Sequence, residues 1–138
     1  MPSRDAIRDA VKTALVKDGW TITHDPLPIR LDPMRVFADL GAERPIAAER
    51  AGRKIAVEIK SFTGLSVMDD LEKALGQYGL YSALLAEVEP DRTVYLAVSE
   101  AVATNVLDTS AGQILIRRLG IRVIVVTLPT QEVVRWIG

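Results

Sequence analysis

Acidic and basic side chains on one predicted strand are the most informative feature of the sequence. In residues 54–62, KIAVEIKSF, the apolar and polar positions alternate, as expected for a β-strand. Glu58 and Lys60 therefore project side by side from one face of that strand, and a second acid, Asp39, lies upstream. Two carboxylates can hold Mg²⁺ through oxygen, and an ammonium group can position or activate water. This combination suits hydrolysis of a phosphodiester.

The composition indicates a single globular domain over 1–138. Hydrophobic residues make up 49% of the 138 residues, which is enough to build an ordinary core. The absence of cysteine excludes disulfides and thiolate metal sites. Seventeen basic against eighteen acidic residues give a net charge of −1. That balance counts against strong autonomous DNA binding, which usually needs a basic face.

The sequence shows no sign of membrane insertion. The first fifteen residues, MPSRDAIRDAVKTAL, have charges throughout and lack the apolar run of a signal peptide. No segment approaches the roughly 18–20 apolar residues of a membrane span. We therefore expect a cytoplasmic protein without a membrane partner.

The order of predicted elements indicates an α/β sandwich with a mixed sheet. Ser3 and Ser66 are each suited to cap a helix, and Ala51-Gly52 is suited to a hairpin turn. The predicted elements are a helix from Ser3 to Gly19, strands at about 20–23, 34–41, 45–50 and 54–62, a helix from Ser66 to about Val88, a strand from Thr93 to Val98, one or two helices within 99–119, and strands from Ile121 to Thr127 and Val133 to Ile137.

Two helices carry further candidate site residues. Gln77 and Tyr81 are spaced i, i+4 and so share one face of the helix that follows the Glu58 strand. A partly exposed polar pair is the simpler interpretation, particularly for Tyr81. Asp9 on the first helix is either a solvated acid or a further metal ligand.

Several other residues leave alternatives open. His24 is either a proton carrier or a residue that shapes the turn before Pro26. Because a slip of one residue reverses the faces of a strand, Glu43 or Glu49 could replace one of the acids in the predicted site. Three arginines, Arg117, Arg118 and Arg122, either contact phosphates or are solvated at a helix end.

The arrangement of Asp39, Glu58 and Lys60 resembles the PD-(D/E)XK nuclease pattern, and the whole chain resembles the XisH family, the fdxN-element excision controlling factors. Six segments carry the second resemblance, and GWTITHDPL with AVEIKSF is the most specific combination. The segments are AVKTALVKDGWTITHDPL (10–27), ADLGAERPIAAER (38–50), KIAVEIKSF (54–62), ALGQYGLY (74–81), YLAV (95–98) and VVRWIG (133–138).

The resemblance implies a restriction-endonuclease-like sandwich with a mixed central β-sheet flanked by helices. It implies metal ligation by Asp39 and Glu58, catalysis by Lys60, and orientation of the site by Gln77. We expect Mg²⁺ or Mn²⁺ to be shared with the Ile59 carbonyl and waters. Relatives commonly have Glu where this chain has the shorter Asp9.

The resemblance also implies partners. They are DNA, a site-specific recombinase complex and a small XisI-like companion, and self-association into a homo-oligomer is expected as well. Three functions follow as hypotheses. The first is a metal-dependent DNA endonuclease acting in excision of a DNA element. The second is a non-catalytic accessory scaffold that keeps the nuclease fold, and the third is the nuclease half of a toxin-like or defence pair.

Overall fold

The described residues of the chain fold into a six-stranded mixed β-sheet with helices on both faces. The structure is a computed structural model that describes residues 3–28, 45–64 and 66–138. Within those ranges the elements are α1 (Arg4–Lys17), β1 (Thr21–His24), β2 (Ile46–Arg50), β3 (Arg53–Ile59), α2 (Val67–Val88), β4 (Arg92–Ser99), α3 (Glu100–Val102), a π-helical segment (Ala103–Leu107), α4 (Ser110–Leu119), β5 (Val123–Thr127) and β6 (Glu132–Ile137). The predicted single-domain α/β class with a mixed sheet is confirmed, whereas the strand predicted at 34–41 lies outside the described residues.

The six strands are ordered in the sheet as they are in the chain, β1-β2-β3-β4-β5-β6. The pairs β3–β4 and β4–β5 are parallel, and the other three pairs are antiparallel. Parallel neighbours need a long crossover, which α2 provides for the first pair and residues 100–122 provide for the second. The carboxyl ends of β3, β4 and β5 consequently lie along one edge of the sheet.

Local sequence signals account for the ends of the helices. The Ser3 hydroxyl accepts a hydrogen bond from the Ala6 amide at 3.1 Å, and the Ser66 hydroxyl accepts one from the Asp69 amide at 3.2 Å. These side chains satisfy amide groups that the first helical turn leaves without a partner. Both predicted caps are confirmed, and no helix in the described part of the chain is long and apolar enough to cross a membrane.

The β2–β3 hairpin turns at Ala51 and Gly52, as predicted, and both residues have positive φ, 50° and 81°. The strand expected at 54–62 is shorter, because β3 ends at Ile59. Lys60 still donates its amide to the Ala97 carbonyl at 3.1 Å. The chain then leaves the sheet, and Phe62 has a left-handed φ of 52°, which a strand cannot accommodate.

The two faces of the sheet bury separate cores. Successive residues of β3 point to opposite faces of the sheet. Ile55, Val57 and Ile59 belong to the core beneath α1, with Val11 and Leu15. The other core lies beneath α2 and the 100–119 helices and contains Ala56, Ala74, Tyr78, Leu96 and Leu107.

Tyr78 fixes α2 to the sheet through its hydroxyl group. This buried hydroxyl lies 3.2 Å from the Val94 carbonyl, to which it donates, and accepts a hydrogen bond from the Arg122 amide at 3.0 Å. Buried polar groups need such partners. The register between α2 and the β4–β5 pair is therefore set by a polar anchor as well as by apolar packing.

An ion-pair cluster joins α1 to the end of β1. Arg8 and Lys12 both bind the Asp25 carboxylate, Lys12 at 2.6 Å, and the three side chains are only 23–33% exposed. Burial tends to raise the pKa of Asp25, but the hydrogen bonds from Lys12 and Arg8 outweigh it and hold that pKa below its ordinary value. The cluster thus favours the ionised carboxylate in the folded state.

The Asp25 cluster predicts a loss of stability in acid. A depressed folded pKa contributes stability that is present above the unfolded pKa, about 3.9, and is lost as the pH falls through the folded pKa. We expect Asp25→Asn to lower the free energy of unfolding at pH 7 by about 0.5–1 kcal/mol. Urea unfolding of both proteins at pH 7 and pH 3 should show the difference shrinking in acid. A difference that stays constant between those pH values would contradict the role given to the ionised carboxylate.

Candidate functional site

Glu58 is buried at the carboxyl end of β3. Its side chain is 1% exposed, although we expected it on a polar face of the strand. That expectation is wrong because α2 covers this face of the strand. Ala56 and Glu58 share that face and therefore lie between the sheet and α2. A buried carboxylate costs free energy unless a charge, a hydrogen bond or a metal ion compensates it. Burial therefore makes Glu58 a stronger candidate for a special role than a solvated strand acid would be.

Lys60 lies just beyond the end of the same strand. It is half-buried, and its amide continues the ladder to β4. Strand alternation places residues 58 and 60 on the same face. The predicted pairing of an acid with a nearby base is thus compatible with the structure, with the acid enclosed and the base closer to solvent.

Gln77 and Tyr81 lie on the α2 face that packs over this side of the sheet. Tyr81 is 1% exposed, so the interpretation of Tyr81 as partly exposed is wrong. Gln77 is half-buried, and its Oε1 atom is buried without a hydrogen-bond partner among the described residues. An unsatisfied buried amide oxygen is costly, which makes Gln77 the α2 residue best suited to meet a ligand.

The structure does not bring Asp9 to Glu58. Asp9 is exposed on α1, and α1 packs on the opposite face of β3. Asp39 lies outside the described residues. Within the described ranges, no three acids or histidines are grouped so that they could hold a metal ion. Among the described residues, the predicted oxygen donors are the Glu58 carboxylate and the Ile59 carbonyl, which have the hard character that Mg²⁺ prefers.

The two alternative acids do not strengthen the site. Glu43 lies outside the described residues. Glu49 pairs with Lys54 at the other end of β3, about 13 Å along the strand from Glu58 at about 3.3 Å per residue. Its Oε1 atom is 4.0 Å from the Arg92 guanidinium. Glu49 therefore belongs to a separate ion-pair group.

The other polar candidates also lie apart from Glu58. His24 is exposed at the end of β1, and its Nδ1 atom is 3.0 Å from the Thr23 hydroxyl. Arg117 and Arg118 are exposed in the last turn of α4, which fits the solvated interpretation of a helix end.

Arg92 is a buried cation that the sequence analysis did not single out. Its side chain is 3% exposed. Its Nε donates to Glu89 Oε2 at 2.7 Å, and its Nη1 donates to the Ile55 carbonyl at 3.0 Å. The guanidinium thus ties the start of β4 to β3 and to the end of α2, a structural role away from Glu58.

A cleft of about 510 Å³ opens at the carboxyl edge of the parallel strands, and its lining includes Ser61, the residue after Lys60. The loop after β3, the helical residues after β4 and the turn after β5 line it. These residues were not predicted from the sequence. The available signal was a hydroxyl residue at the end of β4 and of β5, Ser99 and Thr127, and another two residues after β3, Ser61.

Comparison with known proteins identifies the family. The sequence model of the XisH protein family matches residues 1–134. This chain belongs to the XisH family. The assignment confirms the resemblance carried by the six segments. None of the curated proteins compared with the chain matches it.

Two crystal structures are similar to this XisH protein over nearly the whole chain. An fdxN element excision controlling factor protein from Anabaena variabilis is 37% identical, with a TM-score of 0.88 and coverage of 97% of this chain and 99% of that chain. An XisH family protein from Nostoc punctiforme PCC 73102 is 33% identical, with a TM-score of 0.89 and coverage of 97% and 100%. The described architecture is therefore shared within the family. The restriction-endonuclease-like assignment stays a prediction.

Proposed function

We propose that this XisH protein is a Mg²⁺- or Mn²⁺-dependent DNA endonuclease of the PD-(D/E)XK type, acting in programmed excision of a DNA element. The role in excision follows from the family and from the described function of the Anabaena variabilis relative, an fdxN element excision controlling factor. The proposed chemistry depends on the site itself. Asp39, Glu58 and Lys60 form the proposed catalytic set, with Gln77 as an orienting residue.

The burial of Glu58 beside Lys60 is the observation that carries this proposal. A carboxylate that is 1% exposed is rare at a strand end and marks either a metal ligand or a fixed structural charge. Lys60 follows two residues later and is half-buried. Its ammonium group can therefore donate a hydrogen bond to water or to a bound substrate. Gln77 adds a buried amide oxygen from the covering helix.

Glu58, the Ile59 carbonyl and Asp39 are the oxygen donors that would hold the metal ion. A bound divalent cation stabilises negative charge that develops on the phosphate during hydrolysis. Lys60 positions the attacking water and accepts its proton, or donates a hydrogen bond to the developing charge. Gln77 orients the water or the carboxylate through its amide group. Water becomes bonded to phosphorus as it loses a proton, the bond from phosphorus to the leaving oxygen breaks, and that oxygen takes a proton from solvent.

A partner fits the charge of the chain. With a net charge of −1, the protein has little long-range attraction for DNA by itself. We propose that it acts in a complex with a XisI-like companion and a site-specific recombinase, and that it self-associates. Light scattering after co-expression with the companion would show one shared peak if this is right, and separate elution at micromolar concentration if it is not.

The enclosure of Glu58 also supports a second candidate function, a non-catalytic scaffold. A metal-ligating carboxylate must be accessible to the metal ion and its bound waters, and a side chain that is 1% exposed is accessible only if the site opens. If the protein is such a scaffold, the fold is retained for its surface, which binds the companion and the recombinase.

Plasmid nicking separates these candidates. The purified complex should convert supercoiled plasmid to the open circle in the presence of Mn²⁺ or Mg²⁺. This conversion should stop when the metal is chelated. An inactive complex that still supports excision in cells would favour the scaffold. Growth arrest on expression without the companion would instead favour the toxin-like pair.

A further inference from the structure

The cleft at the carboxyl edge of the parallel strands lies where open α/β sheets bind their ligands. Such ligands occupy crevices beyond the carboxyl ends of parallel strands. Ser61 to Thr63 follow β3, Ser99 ends β4 and Thr127 ends β5, and all of them line the cleft. Its volume of about 510 Å³ is within the usual range for small-ligand pockets.

Two irregularities of the backbone occur in the wall of this cleft. Phe62 has a φ of 52°, although a bulky residue strongly disfavours the left-handed region. The Asp108 amide donates to the Ala103 carbonyl at 2.8 Å, five residues earlier, which gives the π-helical geometry around Asn105. Strained residues and π-helical turns both concentrate at functional sites. The cleft wall therefore has features that simple packing does not require.

The lining favours an uncharged ligand that has both apolar and polar parts. Hydroxyl and amide groups come from Ser61, Thr63, Asn105 and Thr127, and Ser61 lies 3.3 Å from Thr63, hydroxyl to hydroxyl. Glu100 is the only charged residue among the described lining residues, so the cleft itself does not suit a phosphate. The apolar part of the lining consists chiefly of Ile7, Phe62, Val67, Val102, Leu128 and Pro129.

The position of the cleft relative to Lys60 connects this ligand to DNA. Ser61 follows Lys60 directly, and consecutive Cα atoms are about 3.8 Å apart. Because the Lys60 backbone adjoins a lining residue, a nucleotide held through its phosphate at Lys60 is within reach of the cleft. We propose that the cleft receives one unstacked nucleobase of the DNA strand whose phosphate lies at Lys60. This inference rests on the proposed action on DNA.

A nucleobase uses more of the lining than a protein side chain would. Its ring faces fit the apolar walls, and its edge can exchange hydrogen bonds with Ser61, Thr63 and Asn105. An apolar side chain of a protein partner would contact the walls alone and would displace water from those polar groups without replacing its hydrogen bonds.

Binding to two matched oligonucleotides tests the proposal. One is a short fluorescent oligothymidylate, and the other is an abasic analogue of the same length with the same phosphates. Anisotropy titrations use the full chain at one low salt concentration, with Ca²⁺ in place of Mg²⁺. We expect the wild type to bind the oligothymidylate about 10-fold more tightly than the abasic analogue, because one stacked base adds about that much to the binding affinity.

Variants locate that preference in the cleft. Ala101→Trp places a bulky ring at an exposed lining position and should abolish the difference between the two oligonucleotides. Asn105→Ala should reduce it. Ala86→Trp makes the same change at an exposed position of α2 outside the lining and should leave the difference unchanged.

The possible failures are distinguishable. If the wild type binds both oligonucleotides equally, or if Ala101→Trp keeps the preference, the cleft does not hold a base and the proposed action on DNA is unaffected. If neither oligonucleotide binds even when the XisI-like companion is present, both proposals fail. If Ala101→Trp keeps the DNA preference but no longer binds the companion, the cleft is a protein-docking site and the base proposal is wrong.

Discussion

Replacing Lys60 with alanine is expected to reduce Mn²⁺-dependent plasmid nicking by about 10²–10⁴-fold, the effect of losing a positioned acid–base group. The fold should survive, since Lys60 lies beyond the end of β3 and is only half-buried. Its loss removes a charge and a flexible side chain without opening a large apolar cavity. Initial nicking rates of both proteins, at equal metal and DNA concentrations, give the ratio directly.

Two further variants show whether the loss is chemical. Lys60→Arg should not restore nicking, because a guanidinium stays protonated and differs in shape from an ammonium group. Lys73→Ala removes an exposed lysine from α2 and should leave the rate unchanged. Equal rates for the wild type and Lys60→Ala would exclude Lys60 from the reaction.

Replacing Arg92 with methionine is expected to lower the free energy of unfolding by about 2–3 kcal/mol. Methionine can fill much of the same space but cannot donate to the Ile55 carbonyl or to Glu89. The Ile55 acceptor would lose this donor inside the sheet, whereas Glu89 could turn to water because its side chain is 37% exposed. Urea unfolding monitored by circular dichroism would measure the change.

An exposed arginine of α4 provides the matched control. Arg118→Met makes the same substitution at a solvated position and should change the free energy of unfolding by less than about 0.5 kcal/mol. Arg92→Lys keeps the charge with fewer directed donors and should be intermediate. An Arg92→Met protein as stable as the wild type would show that its buried hydrogen bonds contribute little.

Local signals in the sequence were sufficient to predict most of the elements. The caps at Ser3 and Ser66 and the turn at Ala51-Gly52 depend on neighbours a few residues away, so their chemistry is readable directly. Alternation in β3 also predicted correctly which of its residues share a face. These features do not depend on how the layers pack.

Burial of the candidate site could not be predicted in the same way. Alternation shows that Ala56 and Glu58 share a face, but it does not show that α2 covers that face. Glu58 and Tyr81, each 1% exposed, were expected to be more exposed for this reason. Which layer covers a strand depends on contacts between residues far apart in sequence, and no local pattern encodes them.

The same argument applies to Arg92 and to the cleft. Arg92 meets the Ile55 carbonyl only because β3 and β4 pair in parallel after the α2 crossover. The cleft is lined by residues at or just beyond the ends of three different strands, including Ser61, Ser99 and Thr127. Each alone is an unremarkable hydroxyl in the sequence, and the pairing of strands β3 to β5 brings them together.

Anomalous diffraction from a crystal of the protein grown with Mn²⁺ tests the central claim most directly. The proposed site requires a peak about 2.1 Å from the Glu58 carboxylate, with the Ile59 carbonyl and Asp39 as further ligands. The same crystal of Glu58→Gln should show no peak there. A wild-type crystal without Mn²⁺ at Glu58, at millimolar metal concentration, would contradict the metal-dependent nuclease and leave the scaffold as the function of this fold.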